Sequence, residues 1–341
     1  MTHVAVDLLG GDGAPDAVVN GIDSALGTDE SLEVSLVGPS GVAERLLAER
    51  RLAVGGRLRL VEAPHLIGPG QDAAREVRSR RDATVRVATR LIRDGVVDAV
   101  VSAGPFEALV AAASFTLGPA PGATRPALAV LLGSPSRPTI LLDAGAATGA
   151  SADQLVQYAV VGSAYATVCL DVARPRIGLL VAGPVHRGGP RLDAGRPGVG
   201  GPAAGGSGAG GLGAGELLAG LGLDFVGAVD AAGVVAGGQA DVVVCDGSIG
   251  AVVVSWLQAV AESGDQPPQV QPGWYPQEGA FVVGVDGIVV VAGGRSGSTG
   301  SGIARAIAQA SVADRSGWVP RQRAALADLV ARRRTRAGLS A

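Results

Sequence analysis

Five stretches of the chain share one pattern: a short, unbroken apolar run that stops at glycine and gives way to a helical period. They are VAVDLLGGDGAP (4–15), DAVVSAGPFEAL (98–109), TILLDAGAATGAS (139–151), DVVVCDGSIG (241–250) and GIVVVAGGRSGSTGSGI (287–303). Short apolar runs rich in β-branched residues and without polar alternation read as strands buried on both faces. Between them lie more of the same elements. Pro15 suits a first helical turn and Ala17–Leu26 continues it, LEVSLVG (32–38) is a strand, and Gly41–Arg51 is helical. RLRLVEA (57–63) is a third strand, and Ala73–Arg93 reads as one longer helix ending near Gly95. ALAVLL (127–132) and TILLDA (139–144) predict a hairpin around SPSRP. Ser151 and Gln154 form a capping box that starts a helix running to Leu170, and RIGLLVAG (176–183) is the next strand.

Strand and helix thus alternate, which is the rhythm of an α/β chain with a mainly parallel, doubly wound sheet. In such a sheet the turns gather at the carboxyl ends of the strands, where ligands bind. Helix N-termini there present N–H groups that suit phosphate. Residues 195–215 are glycine and alanine of low complexity and read as a mobile loop. Residues 262–279 carry too much proline and glycine for a long helix. Residues 1–320 are taken as one domain, and 321–341 as an arginine-rich C-terminal helix or tail.

Composition narrows the chemistry. The chain has 341 residues and a net charge of −3, so no basic field points to nucleic acid. All 28 basic residues are arginine. This excludes a phosphate-loop lysine, a Schiff-base lysine and a lysine general base. Cys169 and Cys245 sit in separate apolar runs and read as buried thiols of a cytoplasmic protein. His3, His65 and His186 share no ligand spacing, so no metal and no cofactor is expected. No apolar run is long enough to span a membrane, and the opening strand leaves no room for a signal peptide.

The turns themselves resemble a known family. VAVDLLGGDGAPDAVVNG is similar to the VDAMGGDHAP opening of the bacterial phosphate acyltransferases, PlsX. VRSRRDATVRVA (77–88) resembles that family's R-x-K-K-D-S-S-M segment. RPALAVLL, LLDAGA, LVQYAVVGSAYA, RPRIGLL, ADVVVCDGSIGAVVV and GIVVVAGGRS follow in the family's order, over roughly residues 4–310. The resemblance implies a three-layer α/β/α fold like that of isocitrate and isopropylmalate dehydrogenases. It implies a homodimer in the cytoplasm, with peripheral contact at the membrane face. It further implies that inorganic phosphate attacks the thioester of an acyl carrier protein adduct, giving acyl phosphate for phospholipid synthesis.

Candidate residues follow from the turns. Asp12, Asp143 and Asp246 are the candidate catalytic carboxylates. Gly10, Gly11, Arg80, Arg81, Ser102, Gly104, Gly145, Gly247, Gly294, Arg295 and Ser296 are the candidates for binding phosphate or substrate. The aspartates at strand ends, Asp7 included, read equally well as residues that tie turns. Several family side chains are replaced here: a histidine by Gly13, the asparagine of S-A-G-N-T-G by Pro105, and others around Gly145 and Gly293. The family's apolar helical hairpin before the last strands has only the 262–279 segment in its place. A weakened acyltransferase is expected. A relative acting on another carrier-bound acyl group stays open, as does a non-catalytic relative that binds a carrier protein or lipid-synthesis enzyme.

Overall fold

The computed structural model describes residues 1–70, 72–133, 138–181, 213–263, 276–293 and 299–336. The chain is an α/β protein whose contacts gather into two compact units. The first comprises Met1–Ala120 and Glu278–Pro320, the second Pro121–Gln277 and Arg321–Ala341.

The first unit holds strands β1 (Thr2–Asp7), β2 (Leu32–Gly38), β3 (Leu58–Glu62), β4 (Ala99–Ser102), β10 (Pro276–Val283) and β11 (Ile288–Val291). Their order is β3-β2-β1-β4-β11-β10. All neighbours are parallel except β10, which runs antiparallel to β11. Val4, Ala5 and Val6 are fully buried, as are Val100 and Val101. Successive strand residues point to opposite faces, so helices must cover both. The helices are α1 (Asp16–Thr28), α2 (Ser40–Glu49), α3 (Ala73–Ser79), α4 (Thr84–Arg93), α5 (Phe106–Thr116) and α10 (Gly300–Arg315).

The single helix expected over Ala73–Arg93 is in fact α3 and α4. The break has a local cause. Ala83 is extended and bridges to His65, and the Thr84 N–H donates to the His65 carbonyl at 2.8 Å. An outside acceptor has replaced the one that a continuous helix would supply.

The second unit holds β5 (Ala127–Leu132), β6 (Thr139–Leu142), β7 (Arg176–Leu180), β8 (Asp224–Val229) and β9 (Val242–Val244), in the order β5-β6-β9-β7-β8. The expected hairpin is present as the antiparallel pair β5–β6; the other pairs are parallel. Helix α6 (Ala152–Cys169) carries the Ser151–Gln154 capping box and packs over β6, β9 and β7. Helices α7 (Ala214–Ala219), α8 (Ala231–Ala236), α9 (Gly247–Ser263) and α11 (Trp318–Arg336) complete the elements. Of the glycine-rich loop expected over 195–215, residues 195–212 lie outside the described residues, and Ala214 already begins α7. Of 262–279, residues 264–275 lie outside them and β10 starts at Pro276. No helix among the described residues is long and apolar enough to cross a membrane.

Candidate functional site

In the first unit, β1 and β4 are parallel neighbours, so their following turns lie side by side at one sheet edge. Asp7 ends β1 and is fully buried. The Ser102 hydroxyl, at the end of β4, donates to Asp7 Oδ2 at 2.7 Å, and the Leu9 N–H donates to Oδ1 at 3.0 Å. The Gly104 N–H donates in turn to Ser102 Oγ at 3.0 Å. Burial raises the Asp7 pKa, opposed by the Ser102 hydroxyl and the Leu9 N–H. Gly10 fits only because it lacks a side chain: a Cβ there would lie 2.5 Å from the Gly104 N and 2.8 Å from Asp7 Oδ2. Gly11, at φ +96°, backs onto Ala103 in the same way. The structure therefore joins four candidates, Gly10, Gly11, Ser102 and Gly104, around Asp7, a carboxylate that in the sequence reads equally well as a residue tying a turn.

Asp12 is exposed, and its carboxylate makes no hydrogen bond to a described residue. The N–H groups of Gly11, Asp12 and Gly13 have no acceptor among the described residues. Phe106 and Glu107, in the first turn of α5, have N–H groups that the helix itself does not satisfy. Arg80 is paired with Glu76 at 2.7 Å, and Arg81 is exposed in the break between α3 and α4. Gly294, Arg295 and Ser296 lie outside the described residues.

In the second unit, β6 and β9 are parallel neighbours, and Asp143 and Asp246 follow them. Asp143 is fully buried and accepts four backbone N–H groups. Leu128 (2.8 Å), Gly145 (3.0 Å) and Ala146 (2.9 Å) donate to Oδ1, and Ala147 (2.8 Å) to Oδ2. Burial raises its pKa against these four donors. Asp246 accepts from Ala150 N–H at 2.7 Å, and from the N–H and hydroxyl of Ser248. Burial would raise the Asp246 pKa, but the Ser248 hydroxyl and the backbone donors outweigh it and the net shift is downward.

Helix α9 starts directly against this turn. A Cβ at Gly247 would lie 2.1 Å from the Ala147 carbonyl oxygen, and one at Gly250 1.9 Å from that of Asp143. Gly145 and Gly247 are thus both at the Asp143 turn, but the Gly145 N–H is already given to Asp143, and Gly247 serves close packing. Tyr158 of α6 is buried with its hydroxyl unpartnered among the described residues, and burial and then Asp143 push its pKa up. Cys245 is buried, donates to the Asp143 carbonyl at 3.4 Å, and has its thiol pushed up by burial. Cys169 is pushed up to about 12 for the same reason. Neither is an activated nucleophile. Among the described residues no group of three or more His, Cys, Asp or Glu side chains is placed to hold a metal.

Sequence reasoning undervalued Asp7. The available signal was an aspartate closing an otherwise wholly apolar strand, VAVD and again ILLD.

These units define an α/β protein of mainly parallel strands, with glycine turns braced by buried carboxylates at the strand ends. The same fold is seen in a phosphotransacetylase from Streptococcus pyogenes, at a TM-score of 0.61 and 16% identity over 91% of this chain and 94% of that one. The family described as "Fatty acid synthesis protein" matches residues 2–265, and the chain belongs to it. A phosphate acyltransferase of Heliobacterium modesticaldum is 35% identical over 261 residues, 76% of this chain and 72% of that protein. A phosphate acyltransferase of Desulfitobacterium hafniense is 34% identical over 263 residues, covering 76% and 72%. The bacterial phosphate acyltransferase family that the turns resemble is thus the family of this chain.

Proposed function

We propose that the protein transfers an acyl group from the thioester of an acyl carrier protein to inorganic phosphate. The observation that carries this is the 35% identity, over three quarters of the chain, to a protein named phosphate acyltransferase. Phosphate is itself the nucleophile, so a chain without lysine and with two inert thiols lacks nothing in that respect. A phosphate oxygen attacks the thioester carbon, the C–S bond breaks, and acyl phosphate and the carrier thiol leave. The protein must hold the anion and stabilise the charge that develops on the thioester oxygen.

Backbone geometry supports the first unit as the place for phosphate. The turn N–H groups at Gly145, Ala146 and Ala147 are committed to Asp143, and those at Ala150 and Ser248 to Asp246. Those at Gly11, Asp12, Gly13, Phe106 and Glu107 are uncommitted to any described acceptor. In this reading Asp7 positions both turns from beneath. Asp12 lies beside the anion site, with Arg81 and Arg295 as candidate cations. Gly13 and Pro105 stand where the family has donors, so kcat/KM is about 10²-fold or more below that of relatives, the loss of about one strong oxyanion donor.

The same reading makes the protein a cytoplasmic homodimer serving phospholipid synthesis. A second copy is the proposed cover of α9, whose Val252 and Trp256 are 70% and 47% exposed on a helix with no charge before Glu262. The test is phosphate-dependent release of carrier thiol from acyl carrier protein thioester. Slow release that rises in a Gly13→His, Pro105→Asn variant supports the reading. No phosphate-dependent release from either protein overturns it in favour of a relative that binds without turnover.

A further inference from the structure

The segment 75–93 carries seven arginines and two acids in a protein whose net charge is −3. The acids here and at its edges are used locally. Asp72 caps α3, Glu76 pairs with Arg80, Asp82 with His65 (2.9 Å) and Asp94 with Arg93 (2.8 Å). No carboxylate among the described residues pairs with Arg81, Arg86 or Arg90. The Arg86 guanidinium donates to the Val77 carbonyl and that of Arg90 to the Arg81 carbonyl. Neutral acceptors satisfy hydrogen bonds but leave the charge. The Arg86 Nε is buried without a partner among the described residues. Its pKa is lowered first by burial and then by the like charges of Arg90, Arg81 and Arg93, so the cluster repels itself.

An unbalanced cluster of this kind is a cost to the fold that an anionic partner relieves. Its shape selects the partner. Arg86, Arg90 and Arg93 occupy positions i, i+4 and i+7 of α4, a stripe about 10 Å long. Arg78 extends the charge, its guanidinium 4.3 Å above the ring of Phe115, which is 39% exposed. A linear stripe with an apolar neighbour matches a row of carboxylates on a helix better than a single compact anion. We propose that the α3–α4 face is the docking surface for the acidic helix of the small carrier protein that brings the acyl thioester. This rests on the acyl transfer proposed above and adds the surface by which the donor is held.

The experiment has two arms. In the first, binding of a fluorescently labelled bacterial acyl carrier protein is followed by anisotropy, without turnover. The docking surface predicts that Arg90→Glu, Arg93→Glu weakens binding about tenfold or more. Wild-type binding should fall steeply between about 50 and 300 mM salt. Arg90→Lys, Arg93→Lys should bind nearly as wild type, which separates charge from loss of fold. In the second arm, KM for the carrier thioester should rise in the Glu variant while kcat/KM for a short acyl-pantetheine thioester is unchanged. Equal carrier binding by wild type and the Glu variant overturns the proposal. So does equal loss on both thioesters, or a Lys variant as weak as the Glu variant. The binding arm needs no catalysis, so it can succeed where the acyl transfer fails, and the reverse.

Discussion

Replacing Asp143 separates a carboxylate that holds a turn from one that acts on substrate. In Asp143→Ala the N–H groups of Leu128, Gly145, Ala146 and Ala147 all lose their acceptor. Hydrogen bonds to a charged group contribute about 1.5–3 kcal/mol each, so the gross loss is about 8 kcal/mol. Against it stands the several kcal/mol recovered when a carboxylate no longer has to be desolvated. The net destabilisation is about 3–5 kcal/mol. Asp143→Asn is milder. Its amide oxygen can keep the three Oδ1 donors, while its NH2 faces the Ala147 N–H, so about 1–3 kcal/mol is lost. Urea unfolding followed by circular dichroism measures both, with the midpoint falling in the order wild type, Asn, Ala. The reasoning is refuted if both variants unfold within about 0.5 kcal/mol of wild type. It is refuted equally if Asn retains full stability and loses about 10²-fold or more in turnover, since the carboxylate would then be acting on substrate.

Three further outcomes follow from the same geometry. Gly250→Ala places a Cβ about 1.9 Å from the Asp143 carbonyl and should cost about 3 kcal/mol or more, whereas Gly41→Ala in α2, with open space around it, should raise stability by about 0.5 kcal/mol; thermal melts compare the two. Burial holds the Asp7 pKa above its ordinary value of 3.8, so as pH rises through that window the unfolded chain releases its proton first. Stability therefore falls with rising pH there and levels off above it, and Asp7→Asn should flatten the slope in denaturation midpoints taken from about pH 4 to 7. Tyr158→Phe removes a buried, unpartnered hydroxyl and should stabilise by about 1 kcal/mol; a lower melting temperature would mean that the hydroxyl has a partner.

Where an element rests on its own residues, the sequence made it legible. The strands were readable because runs such as Val4–Val6 and Ile140–Leu142 are apolar at every position, as a sheet covered on both faces requires. The hairpin around SPSRP and the Ser151 cap were readable for the same local reason. The break at 80–83 was not, because its cause is the carbonyl of His65, well upstream in the chain. Nor were α7, β8 and α8, whose Gly- and Ala-rich residues show no period. At the site, the glycines of the two turns were visible. The bond between Ser102 and Asp7 spans 95 residues and was not, since nothing local distinguishes a serine that faces a buried carboxylate from one that faces water.

The buried Asp143 grips only backbone N–H groups of the turn it supports, and Asp7 grips the Leu9 N–H beside the Ser102 hydroxyl. A turn held that way is indifferent to what its outward residues are. Positions such as Gly13, Pro105 and Ala147 can therefore drift through many identities while the main chain keeps its path. Such a scaffold can change or lose a chemistry by ordinary point substitution without passing through an unfolded ancestor. It also offers an experimenter sockets into which side chains from a relative can be set one at a time.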